Sequence, residues 1–218
     1  MLNININKLE IKHNEKKLVN ISFDILDSTA LIGESGSGKS TIIDILCGFH
    51  KNNLSKLIVD DLSILESDNL ASWQNLIGYV PQNIVIFNQS LRENILFGSE
   101  NKIVNDDVIK NLIKKVDLEK FLLKAKNGLS QVLRQDGQNI SGGEKQRIGI
   151  ARALYNKPEV LIFDEATSAL DAEIEEEILN EIKKLQKDFT LIFISHRKSS
   201  LSYCDEKYLL KDKKLIKN

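Results

Sequence analysis

The residues with the clearest chemistry form a loop from Gly33 to Ser40, which reads Gly-Glu-Ser-Gly-Ser-Gly-Lys-Ser. It fits the pattern G-x-x-x-x-G-K-[ST] and stands between a short apolar strand, Ala30–Ile32, and a compact apolar helix, Thr41–Cys47. In such a loop, backbone N–H groups wrap phosphates and the positive end of the helix dipole faces them. We expect Lys39 to reach the β- and γ-phosphates of a nucleotide and the Ser40 hydroxyl to bind Mg²⁺. The alternative is a chance glycine-rich turn.

Two adjacent carboxylates, Asp164 and Glu165, follow the four apolar residues Val160–Phe163. Carboxylates at the end of a buried strand are costly unless they meet a cation or a polar site. Asp164 is placed to hold Mg²⁺, directly or through water, and Glu165 to polarise the attacking water as a general base or orienting group. A strand that runs out into a solvated acidic turn is the alternative, and the upstream phosphate loop disfavours it.

The elements that must position these groups alternate between strands and helices. The apolar runs Val160–Phe163 and Leu191–Ile194 predict strands buried on both faces, and Ile77–Val80 predicts another that stops at Pro81. Helices are predicted over 144–154 and, from the spacing of Ile174 to Leu185, between the two long apolar strands. This order predicts an α/β fold with a parallel sheet.

The two ends of the chain predict antiparallel strands. Apolar and polar residues alternate over the first 25 residues, with a charged turn at His13–Lys17. The tail around Asp212 predicts a hairpin, and the polar-apolar periods from Leu91 to Gly128 predict an inserted helical subdomain. We assign 1–82 and 155–218 to a core with the antiparallel subdomain, and 83–154 to the helical subdomain.

The composition excludes several other classes of protein. Lys and Arg total 30 against 31 Asp and Glu, so no basic bias indicates a nucleic-acid partner. No apolar run is long enough to span a bilayer, and the first residues have neither the basic flank nor the apolar stretch expected of a signal peptide. Cys47 and Cys204 stand alone without metal-ligand spacing, as expected of reduced structural thiols.

Several motifs together resemble the ATP-binding cassette family, the nucleotide-binding domain of ABC transporters. They occur in the family's order over nearly the whole chain, which implies a P-loop NTPase core, ATP and Mg²⁺ as ligands, and ATPase activity. The motifs are the Walker A loop Gly33–Ser40, Gln82, the signature Ser141–Gln146, the Walker B segment Leu161–Glu165, Ser168–Asp171 and His196.

The resemblance implies a role for each matching position. Glu165, His196, Gln82 and Lys39 would serve catalysis, and Ser40, Gln82 and Asp164 would hold Mg²⁺. The residues implied to contact ATP in their own subunit are Gly33, Glu34, Ser35, Gly36, Ser37, Gly38, Lys39, Ser40 and Thr41. The family usually stacks an aromatic residue on adenine, and here the register of the first strands brings His13 to that place.

Other matching positions imply a head-to-tail dimer that forms with ATP. Ser141, Gly142 and Gly143 would bind the γ-phosphate of ATP held by the second copy. The physics fits, because a hydroxyl and two bare glycines at a helix start present N–H groups to an anion. Asp171 would lie along the dimer interface, where the alternative is a helix N-cap.

Further residues resemble the exporter branch of the family, namely Val80–Asn83, Phe87–Ile95 and Asp136–Asn139. This implies coupling helices of a transmembrane domain as partners, at the cytoplasmic face of the inner membrane, and export of lipid, lipid-linked sugar, peptide or drug. Exporter cassettes generally follow six membrane helices in the same polypeptide, so the chain is either an excised domain or a separate subunit, and we favour an excised domain. Gln135 and Asp136 stand where exporters often carry a Glu.

The alternative function is a soluble cassette ATPase that acts on DNA or ribosomes. That class usually has two cassettes, a long coiled-coil insertion or basic patches, whereas this sequence has one cassette and no net basic charge. A binding module without catalysis is a third hypothesis, which intact Lys39, Asp164 and Glu165 disfavour. The groove beside Gln82 and Phe87 distinguishes the exporter hypothesis from the soluble ATPase hypothesis. An apolar groove fits a coupling helix, and a basic one would fit nucleic acid.

Overall fold

The computed structural model describes most of the chain. The described residues are 4–13, 16–25, 28–34, 36–49, 56–59, 62–65, 67–99, 104–134, 137–167, 170–185, 189–195, 201–211 and 214–217. Some residues singled out from the sequence lie outside these ranges, namely Ser35, Gln135, Asp136, Ser168 and His196.

A six-stranded, mostly parallel sheet forms the centre of the fold. Its spatial order is β10-β9-β3-β8-β7-β6, with β9, β3, β8, β7 and β6 parallel and β10 antiparallel to β9. The strands are β3 (Ser28–Gly33), β6 (Ile77–Val80), β7 (Val160–Asp164), β8 (Thr190–Ile194), β9 (Glu206–Lys211) and β10 (Lys214–Lys217). The predicted strands at 77–80, 160–163 and 191–194 and the terminal hairpin are confirmed.

A second, antiparallel sheet contains the N-terminal strands. Its order is β2-β1-β4-β5. The strands are β1 (Ile4–His13), β2 (Lys16–Ile25), β4 (Lys56–Val59) and β5 (Leu62–Ser63). The predicted antiparallel subdomain is confirmed, but the turn at His13–Lys17 is shorter than expected, because His13 pairs with Lys16 and Lys12 with Lys17.

The central strands are apolar throughout because helices cover both faces of the sheet. Leu161, Phe163 and Phe193 face one core, where the Phe163 and Phe193 rings stack at 5.2 Å. Ile162 and Ile192 face the other core. The helices are α1 (Lys39–Leu46), α2 (Ser67–Asn75), α3 (Leu91–Ile95), α4 (Asp106–Lys115), α5 (Glu119–Lys124), α6 (Gly142–Tyr155) and α7 (Ala172–Leu185).

The predicted helical block from Leu91 to Gly128 appears as α3, α4 and α5, followed by a short 3₁₀ turn at Gly128–Ser130. α4 has the charge pattern of a stable helix, with Asp106 and Asp107 in its first turn and basic residues in its last. The Asn105 side chain caps α4 by accepting a hydrogen bond from the Asp107 N–H. α3 and α4 pack against α6, and α5 packs against α4 and the 3₁₀ turn, so the block and the signature helix share one core.

Helix α1 ends where the sequence predicted, and its end shows why a glycine stands there. Gly48 has φ 70°, and its N–H and that of Phe49 donate to the carbonyls of Ile45 and Asp44. This is the Schellman arrangement that favours glycine after a helix. A Cβ on Gly48 would lie 2.3 Å from Leu70 of α2, so the same glycine lets α2 approach.

Candidate functional site

The loop between β3 and α1 brings backbone N–H groups together at the start of a helix. Gly36 and Gly38 have φ of 77° and 107°, conformations that side-chain-bearing residues rarely adopt. Gly38 caps α1 without a side-chain hydrogen bond, so the first amides of the helix stay directed into the loop. A Cβ on Gly33 would lie 2.7 Å from Ser37 Oγ and 2.8 Å from the Leu210 carbonyl oxygen, so the loop fits closely against β9.

Lys39 is buried beneath this loop, with 6% of its surface exposed. Its ammonium group donates to the carbonyl oxygens of Gly33 and Glu34, each at 2.8 Å. Burial lowers the Lys39 pKa, and the negative charges of Glu165 and Asp164 oppose that shift. The lysine is therefore held by the loop's own carbonyls and faces the two carboxylates.

Asp164 is the last residue of β7 and its carboxylate is partly buried. Burial raises the Asp164 pKa, while the hydroxyl of Tyr79, which donates to Asp164 Oδ2 at 3.0 Å, favours the charged form. The neighbouring Glu165 has φ 49°, an unusual backbone conformation for a glutamate. Its N–H donates to the Ile194 carbonyl oxygen at 3.0 Å, which ties the turn to the end of β8.

Gln82 completes the group at the cavity. Its side-chain amide lies beyond the end of β6 and donates to Glu165 Oε2 at 3.3 Å. A cavity of about 320 Å³ is lined by Gly36, Gly38, Lys39, Ser40, Thr41, Gln82, Asp164 and Glu165. Residues predicted from three separate stretches of sequence therefore meet at the carboxyl ends of β3, β6 and β7, where α/β sheets place their ligands.

The signature residues take a different position. Ser141 caps α6 in a capping box: its hydroxyl accepts from the Glu144 N–H at 3.2 Å, and the Glu144 carboxylate accepts from the Ser141 N–H at 2.7 Å. α6 begins at Gly142, two residues earlier than the predicted start at residue 144. Ser141 and Gly142 are exposed, and the lining of the cavity around Lys39, as far as the chain is described, does not include them.

Asp171 lies beside the signature at the start of α7. It is exposed, and its carbonyl oxygen accepts the N–H of Glu175. A Cβ on Gly142 would lie 3.7 Å from Leu170, and one on Gly143 would lie 3.1 Å from Ile174 of α7. The starts of α6 and α7 are thus adjacent on one exposed surface, as the two motifs require if they share an interface.

The structure does not describe the side chains of three predicted site residues. Ser35 and His196 lie outside the described residues. The backbone of His13 ends β1 and pairs with Lys16, and its side chain is not among those described. The adenine-stacking role of His13 and the γ-phosphate role of His196 stay predictions.

The sequence reasoning missed polar residues that support the site from within the fold. Tyr79 looked like an ordinary residue of a strand, yet its hydroxyl reaches Asp164. Arg147 on α6 contacts the carboxylates of Asp117, Glu177 and Glu181. An arginine four residues after Gly143 is a signal that could have been noticed, because i and i+4 share a helix face.

A groove of about 1120 Å³ lies beside the Gln82 loop. Among the described residues, its lining includes Phe97, Leu96 and Val132, with one arginine and one glutamate, Arg92 and Glu93. Phe97 is 50% exposed and stacks on Phe87 at 4.1 Å. The lining is therefore mixed and partly apolar, and its arginine is balanced by a glutamate.

A parallel sheet with a glycine-rich phosphate loop, a buried lysine and a carboxylate pair at its carboxyl edge defines a P-loop nucleoside triphosphatase. A family model described as ABC transporter matches residues 17–168. The chain therefore belongs to the ABC transporter family, as an ATP-binding ATPase domain. None of the helices in the described part of the chain has the length and apolar character needed to cross a bilayer.

The relatives include proteins named as exporters. The chain is 38% identical over 200 residues to a putative export ATP-binding/permease protein of Rickettsia felis, covering 92% of this chain and 32% of that protein. It is also 38% identical to an ATP-dependent lipid A-core flippase of Pasteurella multocida, covering 88% and 33%. A solved bacterial Atm1-family ABC exporter with ATP bound superposes with a TM-score of 0.83 at 30% identity, covering 97% and 37%. The chain thus spans about a third of the length of these relatives.

Proposed function

We propose that this chain binds and hydrolyses ATP with Mg²⁺ as one of two cassettes and thereby drives export by a membrane domain. The observation that carries the proposal is the shared cavity, which joins the phosphate loop to Gln82, Asp164 and Glu165. The names of the relatives favour an exporter over a soluble ATPase that acts on DNA or ribosomes. The division into a core and an 83–154 helical subdomain belongs to the same proposal.

The residues of the cavity fit the triphosphate of ATP. The loop amides and Lys39 would neutralise phosphate oxygens, with the third ammonium N–H of Lys39 left for the ligand after its two bonds to Gly33 and Glu34. Ser37 Oγ is buried and has no hydrogen-bond partner within the described part of the chain, which fits a donor for a phosphate oxygen. His13 would lie against the adenine.

The same cavity fits Mg²⁺. Asp164 and Glu165 carry two negative charges against one positive charge on Lys39, and Ser40 and Gln82 add neutral oxygen ligands. The described residues contain no group of three or more acidic, His or Cys side chains that could hold a metal ion by themselves. Such a site suits Mg²⁺, which is usually bound by one or two carboxylates together with substrate phosphates.

Hydrolysis would depend on positioning and charge. Glu165 would orient the attacking water and accept its proton, with Gln82 holding the carboxylate from one side at 3.3 Å. When bound, Mg²⁺ would offset the charge that develops on the phosphates. His196 would donate a hydrogen bond to the γ-phosphate.

Completion of the site requires a second copy. Ser141, Gly142 and Asp171 are exposed, and none of them is part of the cavity lining that the structure describes. The helix-start groups of Ser141, Gly142 and Gly143 would bind the γ-phosphate of ATP held in the partner, and Asp171 would lie along the interface. Two chains would then close head to tail on two ATP molecules.

The mixed groove beside Phe87 and Phe97 would receive a coupling helix of a transmembrane domain. An amphipathic helix buries its apolar side in such a groove, whereas one arginine balanced by one glutamate offers little attraction to nucleic acid. The chain would then work at the cytoplasmic face of the inner membrane. The exported compound would be a lipid, lipid-linked oligosaccharide, peptide or drug, selected by the membrane domain.

The test compares Glu165→Gln with Glu119→Gln, which removes an exposed carboxylate on α5. We expect Glu165→Gln to lower the ATPase rate by about 100-fold or more, since general-base catalysis contributes roughly 10²–10⁴-fold. ATP binding should persist, and light scattering should detect a dimer with ATP. A rate near that of the parent would remove Glu165 from catalysis, and a monomer at saturating ATP would count against the shared site.

A further inference from the structure

Tyr79 is a polar residue next to the site that the phosphate-loop and carboxylate motifs do not account for. Its hydroxyl donates to Asp164 Oδ2 at 3.0 Å, across 85 positions of sequence. The strand register explains the contact. Tyr79 of β6 pairs with Ile162 of β7, and Asp164 lies two residues beyond Ile162, so Tyr79 and Asp164 share one face of the sheet.

The tyrosine ring also contacts a second aromatic ring. Phe49, which follows α1, meets it edge to face with ring centroids 5.9 Å apart and planes at 77°. The Tyr79 ring is partly buried, and its strand is paired with β7 along its length. The hydroxyl thus contacts one oxygen of the Asp164 carboxylate, while Asp164 itself lines the cavity with Ser40 and Gln82.

A neutral donor at this position has a specific consequence. A lysine or arginine bonded to Asp164 Oδ2 would fix the carboxylate but would also neutralise much of its charge. A tyrosine hydroxyl fixes the orientation and leaves the full negative charge available. Partners that hydrogen-bond to a metal ligand orient it in this way, and their loss typically costs 10–100-fold in metal affinity or activity.

We propose that Tyr79 is a positioning residue that turns one oxygen of Asp164 back toward β6 and leaves the other oxygen facing the divalent cation of the ATP site. This inference rests on the proposed function, in which Asp164 binds Mg²⁺. Tyr79 is not among the described residues that line the cavity, so it would act through Asp164.

The test removes the hydroxyl with Tyr79→Phe, which keeps the ring contact with Phe49. The matched control is Tyr203→Phe, which loses a tyrosine hydroxyl bonded to Asn180 at 3.2 Å in an exposed pair. Both are made in the Glu165→Gln chain so that ATP is not consumed. With the chain in excess over ATP, Mn²⁺ replaces Mg²⁺ as the probe, and its dissociation constant is measured by electron paramagnetic resonance. ATP affinity in EDTA and the melting temperature are measured in parallel.

We expect Tyr79→Phe to weaken Mn²⁺ binding by about tenfold, at the lower end of the effect of such partners. Tyr203→Phe should leave the Mn²⁺ dissociation constant within about twofold of the parent value. The ATP affinity in EDTA should be unchanged in both variants. An unchanged Mn²⁺ constant in Tyr79→Phe would overturn the inference. An equal loss of ATP affinity in EDTA would also overturn it, because it would indicate a general structural effect. If the parent chain shows no metal-dependent ATP binding, the proposed function fails instead.

Discussion

Arg147 gives the sharpest prediction about how the signature helix is held. Its side chain, 9% exposed, places one guanidinium nitrogen 3.0 Å from Glu177, 3.6 Å from Glu181 and 3.7 Å from Asp117. Its Nη1 would also lie 3.3 Å from a Cβ on Gly143. One buried cation therefore joins the start of α6 to α7 and to the turn after α4, and three carboxylates share its charge.

The expected loss of unfolding free energy in Arg147→Met depends on how exposed the partners of Arg147 are. Removing one partner of a fully buried ion pair costs about 3–5 kcal/mol, and exposed pairs contribute about 0–1 kcal/mol. Glu177 is 56% exposed and Glu181 19%, so we place the loss between these limits, at about 2 kcal/mol of unfolding free energy. Methionine retains most of the apolar stem, so the loss reports the charge. Glu177→Gln should cost less, about 0.5 kcal/mol, since it also relieves repulsion among the carboxylates.

The stability lost in Arg147→Met should depend on pH, and the direction of that dependence follows from Glu181. Burial raises the Glu181 pKa above its ordinary value, and Arg147 opposes that shift. A carboxyl whose pKa is raised in the folded state stabilises the fold at low pH, and that stability is lost as the pH rises through the folded pKa. Without Arg147 the Glu181 pKa rises further, so the variant loses more stability than the parent as the pH approaches neutrality. The difference in unfolding free energy between the variant and the parent should narrow toward about pH 4, where carboxyl groups protonate.

Urea denaturation at pH 7 and pH 5 measures this difference. Glu176→Gln, an exposed carboxylate on the same helix α7, is the control and should change the unfolding free energy by no more than about 0.5 kcal/mol. A loss in Arg147→Met that is the same at both pH values would refute the electrostatic account. So would a Glu177→Gln variant that is less stable than Arg147→Met.

Three further substitutions test other parts of the fold and site. Gly33→Ala should lower the melting temperature and weaken ATP binding measured by fluorescence titration, because the new Cβ would meet Ser37 Oγ at 2.7 Å and a β9 carbonyl oxygen at 2.8 Å. Asn94→Leu should lower the unfolding free energy in urea denaturation by about 2–3 kcal/mol, since this fully buried amide bonds Phe87 twice and also Gln89 and Ser90. A loss under about 1 kcal/mol would contradict this. Ser141→Arg should preserve ATP binding by the single chain and block turnover at high chain concentration, and loss of binding itself would argue that the signature acts within its own subunit.

The sequence could predict those parts of the site that follow from local chemistry. The phosphate loop sets its own shape through Gly36 and Gly38, and four apolar residues before Asp164 require a buried strand that ends at the carboxylates. Because parallel strands end at one edge of the sheet, the loop and the carboxylates had to meet. The apolar runs of β7 and β8 likewise required helices on both faces.

The parts that could not be predicted depend on distant partners. Tyr79 and Asp164 are 85 positions apart, and only the register of β6 against β7 aligns them. Helix α2 was missed because only Leu70 and Trp73 mark its buried side, and its placement depends on the Trp73 indole donating to the Leu46 carbonyl oxygen at the end of α1. Such contacts are decided by tertiary packing, which overrides weak local patterns.

The backbone conformation of Glu165 depends on both local chemistry and a distant contact. Its φ of 49° is disfavoured for a side chain by about 1–2 kcal/mol, and the bond from its N–H to the Ile194 carbonyl oxygen holds it there. A glycine would fit this turn better, so the glutamate at this position is best explained by the chemistry of the cavity rather than by stability. The comparison of Glu165→Gly with Glu165→Ala separates the two effects, since both lose the carboxylate. We expect the glycine variant to be more stable by about 1 kcal/mol in urea denaturation, and both to lose hydrolysis. Equal stability of the two variants would show that the turn is not strained, and the functional reading of Glu165 would then depend on its place in the cavity alone.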